Sequence, residues 1–533
     1  MKKLPLGIQN IKEIIEGNYV YIDKTQYIYD LINSAKYYFL SRPRRFGKSL
    51  LLDTIGEVFL GNKELFKGLW IYDSDYDFAE YPIVRLDMIG IANDTPEILN
   101  KAIMSYLKHY YEKEGFNFNE SSSAEVFRNL IFYLNQKYNK KVVVLIDEYD
   151  HPILNRLSNK ELATANQGVI RDVYGVLKSM DAYLKFVFLT GVSKFARTAV
   201  FSGLNQLRDI TMAEDYAGIC GVPVKDLDKY FGEHIDNLIK LNRFKDNDIR
   251  EKILKWYDGY SWDAKTKMLN PWALLYFFFE KQFENFWYIT GSPKFLIDLI
   301  LKSPERYLYL KNLVLDKKDL DAFNIEMMPI ESILFQTGYL TIVDIIENKG
   351  AGRNYVLDMP NFEVKDALNQ HVMTALVHSD DVLTGNTKRQ IRKALQEGDL
   401  NSVLDLLRSL FASIPYELHI RAEAYYHTVF YVVMTVLGFN IKTEVSTARG
   451  RIDAVLETND HIYIFEFKYV NTDKNITPEE SGEKIKEATT AGLTQIKERG
   501  YHEPYINSGK QIHLAAFAFL GRDNIGMETE VLL

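Results

Sequence analysis

A single cysteine, Cys220, leaves the 533-residue chain without an internal disulfide or a cysteine-based zinc site, and its ten histidines include no HExxH pair. Any metal must therefore be held by carboxylates. Glycine and proline are scarce, 30 and 14 residues, below the ~12% of average usage, which argues against long flexible linkers and collagen-like runs. The longest uninterrupted apolar run, Trp272 to Phe279, falls far short of the about 20 residues that span a bilayer, and no signal-peptide core follows Lys2 and Lys3. A cytoplasmic protein with no membrane partner is expected. Positive charge is in the minority: the net charge is −8, so the global field repels polyanions and nucleic acid would need a local basic surface. An indiscriminate DNA coat is excluded. A nuclease is not, because enzymes that cut phosphodiesters hold acidic metal sites and need only a basic rim.

What is present is an ordinary soluble mix, 47% hydrophobic and 13% aromatic, enough for more than one large core. At roughly 150 residues per domain the length suggests about three folded units. No internal repeat or low-complexity stretch stands out, so organisation is read from periodicity. Short apolar runs at Tyr37 (YYFLS), Pro82 (PIVRLD), Val142 (VVVLID) and Leu184 (LKFVFLT) read as strands separated by segments long enough for crossover helices. The near-continuous apolar character of VVVLI and FVFL fits strands buried on both faces of a parallel sheet. Residues 224–332 read as a helical lid, with turn signals at WYDGY (Trp256 to Tyr260) and Asn270-Pro271. LFQTGYLTIVD and YVLDMPN, within 333–362, suggest a β-hairpin, and 363–410 read as helical. The last 120 or so residues form a further α/β unit, with helices at Ala422–Leu437 and Glu479–Arg499 and HLAAFAFL as its final strand. The expected domains are 1–223, 224–332, 333–410 and 411–533.

Two constellations carry chemistry. Nucleotide phosphate needs inward N–H groups at a helix N-terminus, a lysine for charge and a hydroxyl for Mg²⁺. Gly47, Lys48 and Ser49, followed by Leu50, supply them, although the usual pattern GxxxxGK[ST] would have glycine where this chain has Arg42, with Pro43, Arg44, Arg45 and Phe46 after it. The second half of such a site is a strand ending in an acid for Mg²⁺ and a neighbour that orients water. Asp147 and Glu148 have that form, with Glu148 as general base in the manner of the additional-strand NTPases. Thr190, at the next strand end, stands where a γ-phosphate sensor or a plain turn would be. Arg197 and Arg208 are candidates for an arginine finger or for surface salt bridges.

Hydrolysing a phosphodiester needs a divalent metal on carboxylates and a cation for the developing charge. If Asn459-Asp460 makes a two-residue turn with the positive φ that such turns require, Asp453 and Glu466 lie directly opposite each other and Lys468 shares their face. Glu423, on the preceding helix, is a candidate to complete the metal site, with His427 one turn on as a structural histidine or a neighbour of the site. Gln495 and Tyr501 lie at a helix end near Lys484, Lys486, Lys497 and Arg499, which reads either as a nucleic-acid groove or as a solvated face. Glu444 is not placed by these arguments.

These residues lie within a longer likeness. The chain resembles the bacterial and archaeal AAA-ATPase-like proteins that carry a C-terminal nuclease domain of the PD-(D/E)XK superfamily, through LPLGIQNIKEIIEGNYVYIDKT, SRPRRFGKSLLLDT, VVVLIDEYDHPI, LTGVSKF, FSGLNQLRDIT, WYDGY, LFQTGYLTI, GRIDAVLE and IFEFK. The resemblance implies an α/β fold class: an N-terminal P-loop, additional-strand sheet with a helical lid, then a C-terminal α/β restriction-endonuclease-like domain. It implies that RPRRFGKS is the phosphate loop, that Asp453, Glu466 and Lys468 match the nuclease motif, and that Glu423 and Gln495 are its helix acid and helix glutamine. ATP and Mg²⁺ are the implied cofactors, with Mn²⁺ an alternative at the second site. Nucleic acid, DNA before RNA, is the implied partner; a homo-oligomer stays open, and defence or mobile-element biology is the implied setting. The expected activity is an ATPase coupled to a metal-dependent nuclease. The alternative is a nucleotide-gated switch whose nuclease-like domain only binds.

Overall fold

A computed structural model describes residues 1–194, 206–241, 243–244, 246–287, 300, 307, 310–321, 329–348, 352–377, 385–413, 423–447, 450–471, 476–520 and 524–532. The chain divides into two compact units, Met1–Phe295 with Asn312–Val364, and Leu296–Lys311 with Lys365–Leu533.

The first unit is built on a five-stranded sheet of β1 (Tyr37–Ser41), β2 (Ile83–Asp87), β3 (Val142–Asp147), β4 (Leu184–Gly191) and β5 (Arg208–Asp209) in the order β2-β3-β4-β1-β5. Every pairing is parallel. The first five residues of β3 are fully buried because both faces of the sheet are covered, as its unbroken apolar sequence requires. Helices α1 (Ile11–Glu16), α2 (Thr25–Ser34), α3 (Lys48–Phe59), α4 (Pro96–Glu114), α5 (Ser123–Tyr138), α6 (His151–Leu154) and α7 (Lys160–Ser179) surround it. In α3, Leu51, Leu52, Ile55, Val58 and Phe59 repeat at helical spacing and are buried, and the helix packs on β3 and β4. Because β4 lies between β1 and β3, the ends of all three strands open on one edge, the place where open α/β sheets bind ligands.

Beyond the sheet come β6 (Val222–Pro223) paired with β7 (Met268–Leu269), and helices α8 (Leu227–Lys240), α9 (Asp246–Tyr257) and α10 (Pro271–Glu280). Strands β8 (Leu313–Asp316), β9 (Thr341–Asn348) and β10 (Gly352–Asp358) form an antiparallel sheet in the order β8-β10-β9. The expected hairpin is there, but LFQT is not part of it. Leu334–Thr337 belong to helix α11 (Ile330–Thr337), stopped by Gly338 at φ +92°, and the strand starts only at Thr341. A four-residue apolar run is ambiguous between helix and strand.

Residues Phe362–Val377, Gly385–Glu397 and Leu400–Ser413 are helical, as their patterning indicates. The second unit contains helix α12 (Glu423–Val436), strands β11 (Asn440–Thr447), β12 (Gly450–Glu457) and β13 (His461–Val470), helix α13 (Pro478–Glu498), and strands β14 (Gln511–Leu520) and β15 (Asn524–Leu532). The sheet order is β11-β12-β13-β14-β15, with β13 and β14 parallel and α13 as their crossover. Thr477 and Glu480 cap α13 reciprocally, and Leu493 and Ile496 pack on Ile452, Ile464 and Leu514. HLAAFAFL is therefore not the last strand. In β15 only Ile525 is buried, since it is an edge strand with one face open, and its glutamates concealed the pattern.

Candidate active sites

At the end of β1 the chain turns through Arg42–Ser49 into α3. Gly47 sits at φ +92° with open space around its missing Cβ, so the position calls for glycine because of its backbone angle and not for lack of room. Lys48, only 3% exposed, donates to the carbonyls of Arg42 (3.0 Å) and Pro43 (3.1 Å) and pairs with Glu148 Oε1 at 2.9 Å. Ser49 and Thr190 both hydrogen-bond the Asp147 carboxylate, as does the Glu148 N–H at 3.1 Å. Burial, with the Glu148 charge second, raises the Asp147 carboxyl above its ordinary range, opposed by these hydroxyl contacts and by Lys48. Glu148 holds a left-handed backbone, φ +49°, a strained conformation that surrounding structure must enforce. The structure thus brings together Lys48, Ser49, Asp147, Glu148 and Thr190.

The three loop arginines are placed differently. Arg42 is fully buried, its guanidinium donating to the carbonyls of Ser41 (2.9 Å), Thr211 (2.8 Å) and Tyr216 (3.3 Å) and lying 3.9 Å over the Trp262 ring. Burial lowers it to about 10. Its backbone lines the loop, but its charge is turned away from it. Arg45, at φ +65°, stacks 3.8 Å over Trp272, and the exposed Arg44 offers its carbonyl to Trp287 Nε1 at 3.0 Å. Phe46 is wedged edge-on against Tyr260 and Trp262, and Pro43 lies against Gly338. Three of the five tryptophans therefore hold the loop, a role that the aromatic density around WYDGY signals only in hindsight.

Leu50 and Gly47 help line an apolar cavity of about 100 Å³, with Tyr21, Lys24 and Cys220 also in its wall. Lys24, lowered to about 8 by burial, donates to the Gly218 carbonyl at 2.6 Å. Asp150 was not singled out by motif. Fully buried, it accepts from Ser193 N (2.7 Å), Ser193 Oγ (2.6 Å) and Val192 N (3.3 Å), tying the loop after β3 to the end of β4, and burial raises its carboxyl. Arg208 stands beside Tyr38 in the amino-terminal half of β1, against the Tyr216 ring, away from the strand end where Thr190 lies. Arg197 lies outside the described residues.

In the second unit the β12–β13 register pairs Ala454 with Phe465 and Val455 with Ile464, the expected register, and the ladder ends there, one residue short of Asp453 and Glu466. The turn is the two-residue one expected, closed by the Thr458 N–H on the His461 carbonyl at 2.8 Å, but neither Asn459 nor Asp460 has positive φ. Side-chain bonding at Thr458, whose hydroxyl accepts from His461 N at 3.0 Å, helps hold the turn instead. Asp453 Oδ2 accepts from Phe467 N at 2.8 Å. Glu466, 2% exposed, accepts through Oε1 from Lys468 Nζ at 2.8 Å and from Gln495 Nε2, and Lys468 also donates to Gln495 Oε1 at 3.0 Å. Helix α13 comes this close because residue 492 is glycine: a Cβ there would lie 2.9 Å from Ala516 Cβ and 3.7 Å from Glu466 Cγ. Glu466, Lys468 and Gln495 are thus joined by hydrogen bonds, and Asp453 on the adjoining strand is tied to the next residue, Phe467.

Glu423 begins α12, but its side chain, like that of Glu444 on β11, lies outside the described residues. His427 is buried, stacks on Phe467 at 4.9 Å, bonds the Asp453 backbone and is lowered to about 4 by burial, which makes it a neutral structural partner of the site. Tyr501 donates to the Arg451 carbonyl at 2.8 Å and accepts from Arg499 at 3.0 Å. The lysine-bearing face of α13 is not simply basic. Lys497 pairs with Glu530, and the open cleft beside Gln495, about 990 Å³, is lined by Glu483, Glu487 and Glu498 as well as Lys486 and Arg499. Lys484 is on the same helix.

Ser49 and Asp147 in the first site, and Asp453 and Glu466 in the second, offer hard oxygen donors, which suit Mg²⁺ or Mn²⁺ and not a soft metal. Among the described residues no three carboxylates, histidines or cysteines cluster closely enough to hold a metal by themselves, and the Glu423 side chain lies outside those residues. Among the described residues no helix is long and apolar enough to cross a membrane.

Comparison with known proteins agrees with this division. Residues 5–201 match the family model of a predicted AAA-ATPase, and residues 421–528 match the PD-(D/E)XK nuclease superfamily. A protein of Azotobacter chroococcum mcd 1, named "Uncharacterized protein in vnfD 5'region", is 35% identical over 543 aligned residues that cover 100% of this chain and 99% of the relative. The chain belongs to the family of AAA-ATPase-like proteins that end in a PD-(D/E)XK nuclease superfamily domain.

Proposed function

We propose that the first unit binds and hydrolyses Mg-ATP and that the second cleaves nucleic-acid phosphodiester bonds, DNA before RNA, with Mg²⁺ or Mn²⁺. The observation that carries the first half is the Lys48–Glu148 ion pair beside the Ser49, Asp147 and Thr190 cluster. When ATP enters, its phosphates take over Lys48, and Glu148 is released to accept a proton from the attacking water. Backbone N–H groups at the start of α3 hold the β-phosphate, and the apolar cavity beside Gly47 and Leu50 receives the base. Thr190 orients Asp147 and senses the γ-phosphate.

In the second unit, Lys468 stabilises the charge that develops on the phosphate, and Gln495 fixes Lys468 and Glu466 in their mutual geometry. Asp453 and Glu466, with Glu423, would hold the divalent cation, which would supply Lewis-acid charge neutralisation. ATP turnover is coupled to cutting, in defence against foreign DNA or in mobile-element biology.

A second reading is favoured by the glutamates beside Gln495 and the net charge of −8: a nucleotide-gated switch whose nuclease-like domain only grips nucleic acid or a partner. Phosphate release from Mg-ATP by the wild type and by Glu148→Gln tests the nucleotide half. Turnover lost in the variant with ATP affinity kept is expected. Equal turnover in both would remove Glu148 from the mechanism.

A further inference from the structure

In the usual phosphate loop a glycine stands where this chain has Arg42, and the bonds of Arg42 account for the exchange. Its main chain is held on both sides, the N–H on the Gly191 carbonyl at 3.2 Å and the carbonyl by Lys48 Nζ at 3.0 Å. Its side chain runs the other way, into a slot made of the Ser41, Thr211 and Tyr216 carbonyls and the Trp262 face. Three acceptors and one aromatic face match the planar fork of a guanidinium and no other side chain as well. The residue that offers Lys48 its carbonyl is therefore pinned by a separate anchor, which ties the loop to the turn after β5 and to the segment carrying Trp262. With no exposed surface, the guanidinium does not reach bound nucleotide.

We propose that Arg42 is a positioning residue: its carbonyl-and-tryptophan slot sets the Lys48 ammonium for the nucleotide phosphates, doing the work that a glycine-rich turn does elsewhere. This rests on the nucleotide reading above. The consequence is counter-intuitive, since Arg42→Gly restores the usual GxxxxGK[ST] pattern and is nonetheless expected to weaken binding.

The test is the affinity of the full chain for Mg-ATP in the wild type, Arg42→Gly and Arg42→Lys, each with and without millimolar methylguanidinium. Arg42→Gly should bind roughly ten-fold more weakly or worse, and methylguanidinium, filling the vacated slot, should recover most of that loss while leaving the wild type unmoved. A merely structural role would show as a melting midpoint that falls in Arg42→Gly and recovers with the ion in step with affinity, whereas a positioning role moves affinity at concentrations of ion where the midpoint stays put. Arg42→Lys keeps the charge but cannot make the forked bonds, and should stay several-fold weak with or without the additive. Wild-type affinity in a folded Arg42→Gly, or a loss that methylguanidinium does not touch, overturns the proposal. If Arg42→Gly does not fold, Arg42→Lys decides, and unchanged affinity there overturns it. A wild type that binds no Mg-ATP sinks the nucleotide reading itself, a result distinct from all of these.

Discussion

The two candidate sites are built in opposite ways. The nucleotide site is assembled from three strand ends and their loops spread from Arg42 to Thr190 and is clamped from outside by Trp262, Trp272 and Trp287. The carboxylate site comes from one hairpin and the next helix, Asp453 to Gln495, with a single close approach at Gly492. Their lysines differ in the same sense: the Lys48 side chain is 2% exposed and paired to Glu148, whereas that of Lys468 is 27% exposed and shared between Glu466 and Gln495. A site closed by distant segments is tied to the stability of its whole unit. A site drawn from one local motif depends mainly on that motif.

This contrast sets the size of the expected effects. Asp453→Ala should lower metal-dependent cleavage by about 10³-fold or more and leave the basal ATP turnover measured without nucleic acid unchanged; a loss of that basal turnover would mean that Asp453 serves the first unit itself. Glu148→Gln should slow phosphate release by about 10²–10⁴-fold while nucleotide affinity, read by titration, holds. Lys48→Ala should lose nucleotide affinity and also stability, up to about 3–5 kcal/mol because Glu148 is left without its ion partner. Lys468→Ala also strips the ion partner from a buried carboxylate, Glu466, but leaves it the Gln495 amide, so it should cost less in a thermal melt, although it too disables cleavage. Equal melting shifts would erase the distinction between the buried and the half-open lysine. Gly492→Ala should push α13 and Gln495 off Glu466 and reduce cleavage by roughly ten-fold without loss of fold.

The smallest expected effect is on pH dependence. His513 is lowered to about 4, by burial and then by the neighbouring His461. Its folded-state value thus lies below its unfolded one, so stability is complete above about pH 6.5 and falls as the pH drops towards 4. Replacing His513 with glutamine should reduce the slope of the second unit's melting midpoint between about pH 6.5 and 5, with His427, also lowered to about 4, keeping the rest. An unchanged slope would remove this histidine as the cause.

The same contrast explains what the sequence discloses. The β12–β13 register was legible because a two-residue turn and the two-residue repeat of a strand leave one pairing, the one that sets Ala454 against Phe465. The turn's dihedrals were not, since Asn and Asp also populate ordinary φ. Strands β3 and β4 were legible as near-continuous apolar runs and β1 and β2 as shorter ones, while β15 hid behind its glutamates and α11 behind a run too short to have a period. The tryptophan clamp, the reach of Arg42 to Thr211, Tyr216 and Trp262, and the Asp150 tie join residues 42 to 243 positions apart, and no local rule reaches that far.

The measurement that bears most directly on the central claim is plasmid cleavage by the purified chain with Mg²⁺ or Mn²⁺, with and without ATP, beside Asp453→Ala. Two working sites predict metal-dependent cleavage in the wild type, its loss in the variant, and a rate that changes when ATP is added. No cleavage under any of these conditions while ATP is still hydrolysed would contradict the nuclease and leave the nucleotide-gated switch in its place.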